Sequence, residues 1–248
     1  MHRYKLTIEY DGTPYVGWQI QDNGLSVQEV LRTALKNLSG EDFVPKGSGR
    51  TDAGVHALGQ VAHIDLSKEW SVDKIRDGLN YHIRPAPIAI TKAEAVPEDF
   101  DARFSATLRH YRYIIVNRRA RLTIDRAYAW LVPRPLNEKL MHEAAQSFVG
   151  HHDFTTFRST HCQAKSPLKS IDAVSVYRNG EKVIVECSAR SFMHNQVRSM
   201  VGSLAEVGMG KWPVSGIQTA IEAKARSACG PVAPAHGLYF LQVDYSAK

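Results

Sequence analysis

Cysteine is scarce. Cys162, Cys187 and Cys229 are the three in 248 residues, odd in number and far apart. They suit neither a disulfide framework nor a CxxC metal clip, so all three are expected to be reduced and structural. Long apolar runs are also missing, and nothing approaches the roughly 18 residues of a membrane span. The opening Met1-His2-Arg3-Tyr4-Lys5-Leu6 alternates like a strand and has no signal-peptide core. The expectation is a cytoplasmic protein with no membrane partner. Gly47-Ser48-Gly49-Arg50 is not followed by Gly-Lys-Ser/Thr, so it is no P-loop, and no nucleotide cofactor is indicated. His151, His152, Asp153, His161 and Cys162 lack the paired spacing of a structural zinc site and read as loop residues, with no metal.

What is present is the balance of an ordinary globular chain, 44% hydrophobic and 23% charged, with a net charge of +6. The distribution of that charge says more than its sum. Arg103, Arg109, Arg112, Arg118, Arg119, Arg121, Arg126 and Arg134 crowd one segment in which Asp125 is nearly the only acid. Tyr111, Tyr113 and Tyr128 are interleaved with them. Arginine among aromatics suits single-stranded or looped RNA, whose phosphates need cations and whose splayed bases need flat partners. A solvated strand face with snorkelling stems is the plainer alternative.

Periodicity places a strand over 4–10, then an irregular aromatic segment through Gly17-Trp18-Gln19. Ser26 with Glu29 three residues on forms a capping box for a helix that stops at Gly40. A strand over 59–66, a helix capped by Ser71 and a strand at 88–90 complete an α+β first half. The second half offers strands at 111–116 and 127–132 and a helix over 136–148. A hairpin about Asn179-Gly180 follows, then helices over 193–207 and 214–225 and a closing strand at 238–243. The expected division is 1–105 and 106–248, with a shared element order that raises a suspicion of duplication.

The stretch from Gly47 to His56 packs glycine, cation, acid and imidazole between two β-segments. Glycines let a ligand approach the main chain, and a carboxylate beside a guanidinium stays ionised and can act as nucleophile or base. Taken alone, it is better described as an ordinary polar turn with a surface ion pair between Arg50 and Asp52.

The order of motifs changes that balance. Tyr10-Asp11-Gly12, Gly17-Trp18-Gln19, Gly49-Arg50-Thr51-Asp52-Ala53-Gly54-Val55-His56 and Gly59-Gln60-Val61 resemble the tRNA pseudouridine synthase A family. So do Arg103-Phe104-Ser105-Ala106-Thr107, Tyr111-Arg112-Tyr113, Asp153-Phe154-Thr155, Val197-Arg198, Gly202 and Gly237-Leu238-Tyr239. The likeness covers nearly the whole chain in the right order.

The resemblance implies conversion of uridine to pseudouridine at positions 38 to 40 of the tRNA anticodon stem–loop, with no metal or organic cofactor. It implies two similar α/β-sandwich-like domains with a mixed, mainly antiparallel sheet flanked by helices and a central cleft. It also implies a homodimer spanned by one tRNA. Asp52 matches the family's nucleophile, Tyr111 its base-stacking and proton-transfer tyrosine, and Arg198 the arginine that pairs with the aspartate. Arg50, His56 and Leu238 are substrate-binding candidates. His56 could as well satisfy loop backbone groups, Leu238 could be a core strand residue, and Tyr113 is the residue most easily confused with Tyr111. A non-catalytic tRNA-binding module would need a damaged loop, and this one is intact. A glycosidase would need a second carboxyl group that the loop does not offer.

Overall fold

The computed structural model describes residues 1–160, 162 and 164–246. They form two compact units, Met1–Thr107 with Phe240–Lys248, and Leu108–Tyr239. The division expected from the sequence kept the last strand with the second half; the contacts group its residues from Phe240 on with the first.

In the first unit, alternation over His2–Tyr10 forms β1, whose even-numbered side chains from Tyr4 to Tyr10 are buried. Helix α1 (Val27–Ser39) starts as its capping residue predicts: the Ser26 side chain accepts the Glu29 N–H at 3.2 Å. It ends at Gly40, whose left-handed φ of 78° closes the last turn onto the Lys36 carbonyl. The Val27 and Gln28 N–H groups donate to the carbonyls of Gly17 and Trp18, so the first turn is tied to the irregular aromatic segment. A two-residue strand, β2 (Lys46–Gly47), leads into the glycine-rich loop, and β3 (His56–Leu66) leads out of it.

Helix α2 (Val72–Ile83), capped by Ser71, and β4 (Ile88–Val96) complete the set. The strand order is β4-β1-β3, all antiparallel, with β2 on β3. Between Ile8, opposite Gln60, and Tyr10, opposite Ala57, β3 carries an extra residue. Such a bulge re-aims the side chains beside it, here next to the glycine-rich loop.

The second unit holds most of β5 (Ala106–Val116), a short strand β6 (Trp130–Leu131), helix α3 (Glu138–Ala145) and β7 (Gly150–Asp153). They are followed by β8 (Leu168–Asn179), β9 (Lys182–Ala189), helices α4 (Gln196–Gly208) and α5 (Gly216–Ala223), and the start of β10 (Leu238–Tyr245). Its strands run β5-β9-β8-β7, antiparallel throughout, while β6 lies parallel to β5. The class is therefore α+β with a mixed, mainly antiparallel arrangement.

Four local expectations need correction. Of the strand expected over 127–132 only two residues pair, because a 3-10 turn occupies Asp125–Ala127. The helix expected from 136 starts after Asn137, whose side chain accepts the N–H groups of Lys139 and Leu140. The helix expected from 193 starts at Gln196, since Asn195 adopts a left-handed φ of 61°. His151, His152 and Asp153 are not loop residues but edge strand, paired with Ser170, Lys169 and Leu168. His161, grouped with them in the sequence reading, lies outside the described residues. Among the described residues no helix is long and apolar enough to cross a membrane, and no three His, Cys, Asp or Glu side chains are grouped to hold a metal ion.

Candidate active site

The loop from Gly47 to His56 is held from every side by the first unit's other motifs. Tyr10, at the end of β1, places its hydroxyl 2.8 Å from Thr51 Oγ1. Burial pushes that phenol up to about 12, against the opposing effect of its bonds to Thr51 and Gln60, so it stays protonated through neutral pH. Ser48 Oγ donates to Gln60 Oε1 at 2.7 Å, and Gln60 Nε2 donates to the Gly49 carbonyl at 3.0 Å. Trp18 N–H donates to the Thr51 carbonyl at 3.1 Å, and Gly17 bridges to Asp52 as in an antiparallel pair. A side chain at Gly17 would sit 2.6 Å from the Thr51 carbonyl, at a φ of 120° that other residues rarely adopt. Glycine is required there by space and by conformation alike.

His56 is 2% exposed, and its Nδ1 accepts the Gly12 N–H at 3.1 Å with Asp11 Oδ1 3.2 Å away. Of the two roles open to it in the sequence, the backbone-satisfying one has this bond on its side. Asp52 itself is half-buried and closes a turn in which its carbonyl accepts the Val55 N–H at 3.1 Å. Arg50, two residues before it, is exposed.

In the second unit, β5 turns Arg109, Tyr111, Tyr113 and Ile115 to its buried face. The two tyrosines differ in what holds them. Tyr113 is 0% exposed, its hydroxyl donates to the Pro234 carbonyl at 2.7 Å, and its ring leaves no room for a side chain at Gly237. Burial raises its pKa, with the nearby Arg198 charge opposing. Tyr111 is 9% exposed and meets Phe192 edge to face, centroids 5.2 Å apart.

Arg198 lies in the first turn of α4 and is half-buried, not a helix surface charge. Its Nε donates to the Ala233 carbonyl at 2.7 Å and its Nη1 to Asn195 Oδ1 at 2.8 Å. The Ala233 N–H returns a bond to the Arg198 carbonyl at 3.1 Å. Gly202, one turn on, makes this docking possible: a side chain there would fall 1.6 Å from the Pro231 carbonyl. Leu238 is buried at the first position of β10.

A family model described as tRNA pseudouridine synthase matches residues 6–105 and 144–246. A tRNA pseudouridine synthase A of Parvibaculum lavamentivorans is 59% identical over 99% of this chain and 100% of its own length. That of Maricaulis maris is 59% identical over 99% of this chain and 98% of its own, and that of Nitrobacter hamburgensis 58% identical over 99% and 100%.

The chain belongs to the tRNA pseudouridine synthase family.

As a member of it, the protein is an isomerase that converts uridine to pseudouridine in tRNA. A solved Cbf5-Nop10-Gar1 complex also aligns with it, at 12% identity and a TM-score of 0.37 over 82% of this chain and 45% of that one, too distant to argue from. The sequence pointed to candidate side chains for this reaction but not to the residues that support their loop. Tyr10, Thr51, Ser48 and Gln60 form a hydrogen-bonded brace under the loop. Tyr10, Thr51 and Gln60 were signalled in the sequence only as members of the ordered motifs, and Ser48 only by its place in the glycine-rich stretch, neither of which says through which atoms they meet.

Proposed function

We propose that the synthase modifies uridines at positions 38 to 40 of the anticodon stem–loop, with Asp52 as the nucleophile. The observation that supports the Asp52 assignment is the convergence of four separated motifs on its loop: Tyr10, Gly12, Gly17-Trp18 and Gln60 all hold the loop's backbone or its neighbours.

The reaction breaks the N1–C1′ bond, turns the base and joins C5 to C1′, with the C5 proton given up to solvent and a proton taken up at N1. Attack on C1′, addition to the base and removal of a 2′ proton each need an ionised carboxylate held against the target nucleoside, and Asp52 fills that place in all three. Arg198 serves as its ion-pair partner in this reading, keeping it charged and oriented. Support comes from the way Arg198 is already anchored through Ala233 and Asn195. Tyr111 is the tyrosine that stacks on the flipped base and assists loss of the C5 proton. It is favoured over Tyr113, whose hydroxyl is committed to Pro234. Arg50 lines the RNA side, with Leu238 packing against the base, while His56, buried and bonded to the Gly12 N–H, supports the loop. The enzyme works in the cytoplasm as a homodimer, one tRNA spanning both subunits, and needs no cofactor.

Tritium release from tRNA labelled at uridine C5 tests the core of this reading. Wild type is expected to release label from positions 38 to 40. Asp52→Ala is expected to retain tRNA binding and lose release by at least about 10³-fold, as loss of a reacting group does. Undiminished release by Asp52→Ala would remove the nucleophile assignment, and label retained at 38–40 while another uridine is converted would remove the positional one.

A further inference from the structure

The motif Arg103-Phe104-Ser105 takes no part in the loop or the α4 docking, yet it displays an unusual surface. Phe104 is 77% exposed, the most exposed aromatic side chain among the described residues, and it has no polar atom to offer water. The Arg103 guanidinium lies over its ring, 5.4 Å from the centroid, a distance at which cation and ring attract.

The turn that presents them is fixed. Asp101 Oδ1 accepts the N–H groups of Arg103 at 2.8 Å and of Phe104 at 2.9 Å. Ser105 Oγ accepts the Asp101 N–H at 3.0 Å, and the Ser105 N–H donates to the Asp101 carbonyl at 2.9 Å. Ala102, between them, is fully buried: its N–H donates to His63 Nδ1 at 3.0 Å and its carbonyl accepts the Tyr245 hydroxyl at 2.8 Å. Burial raises the Asp101 pKa, but the Phe104 and Arg103 N–H groups and the charges of His63 and Lys46 outweigh it, and the carboxyl is held below its usual range. The turn is therefore ionised and capped at neutral pH.

We propose that Arg103 and Phe104 form a stacking platform for an unpaired nucleobase of the tRNA other than the target uridine. Bases that are not paired stack on aromatic rings and on guanidinium planes, and a cation beside the ring also meets the phosphate that accompanies the base. The platform is not the catalytic pocket. His63, to which the turn is bonded, lies seven residues along β3 from His56, roughly 20 Å at about 3.3 Å per residue. A base held there secures the tRNA while another is turned out at Asp52. The inference rests on tRNA being the substrate and not on the role given to Asp52.

The test compares Phe104→Ala, Phe104→Leu and Phe104→Trp by the affinity of each protein for an unmodified full-length tRNA transcript at fixed salt, with tritium release run alongside. One lost base–aromatic stack is expected to weaken binding about tenfold or more for Ala and for Leu, with the loss falling on KM rather than kcat. Trp is expected to restore affinity to within about twofold of wild type. Because the side chain is exposed, all three variants are expected to melt with the wild type. The proposal is overturned if Ala binds tRNA as wild type does, or if Leu restores as well as Trp. It is also overturned if sedimentation shows that Ala acts by separating two copies of the chain. Absence of label release from the wild-type enzyme would instead count against the uridine 38–40 reading, and the binding comparison would still decide the platform.

Discussion

The Asp52 loop and the Arg198 helix are held by opposite means. Around Asp52 the supports are other residues' side chains and backbone, and they grip the loop's main chain or the hydroxyls beside it. Arg198 does its own holding: its guanidinium bonds the Ala233 carbonyl and Asn195, and so fastens the segment 230–234 to α4. In the first case the position of the loop is set by its neighbours. In the second, position and side chain are one thing. Substitution at Arg198 therefore removes a structural tie along with the charge.

The largest effect expected from breaking this contrast is at Gly202. A methyl group 1.6 Å from the Pro231 carbonyl forces the segment off the helix, so Gly202→Ala should lose more than about 3 kcal/mol in denaturant unfolding. Alkaline titration comes next. Tyr10 carries a phenol raised to about 12 in the folded state against 10.0 ordinarily, so its contribution is fully present below pH 10 and lost as pH rises towards 12. Unfolding free energy should fall by roughly 2 kcal/mol from this residue across that window, and Tyr10→Phe should flatten that part of the curve. Tyr113 and Cys187, both raised by burial, add to the same alkaline loss.

Gln60→Leu leaves Ser48 and the Gly49 carbonyl without the partner they share and should cost about 2 kcal/mol. A melt as stable as wild type would show that the brace does not hold the loop. Arg198→Ala orphans the Ala233 carbonyl and should cost about 1.5 kcal/mol along with activity. Asp52→Asn should shift stability by no more than about 0.5 kcal/mol. Equal destabilisation by the last two variants would erase the distinction.

Much of the local fold was legible in the residues. Ser26 and Ser71 cap the helices they were expected to cap, and Gly40 ends α1 in the left-handed region. The hairpin lies where Asn179-Gly180 pointed, with Asn179 pairing Lys182 across it. What was missed depends on partners distant in sequence. The strand Gly150–Asp153 has neither alternation nor β-branched residues and exists because β8 lies beside it. The start of α4 was misplaced because Met193 to Asn195 carry no breaker, yet Gln196 Oε1 accepts the Met193 N–H and folds them into a turn. At the site, the glycines were read as room for a ligand, and nothing in the sequence said that Gly17 meets Thr51 or that Gly202 meets Pro231.

The tie between α1 and the Gly17-Trp18 segment has a consequence for timing. The Val27 and Gln28 amides bond the same two residues that hold Thr51 and Asp52, so the loop cannot loosen without fraying the first turn of α1. Amide exchange at Trp18, Val27 and Gln28 should then proceed as one cooperative opening, slower than in an ordinary surface turn. A loop mounted this way is built to hold its shape before any substrate arrives.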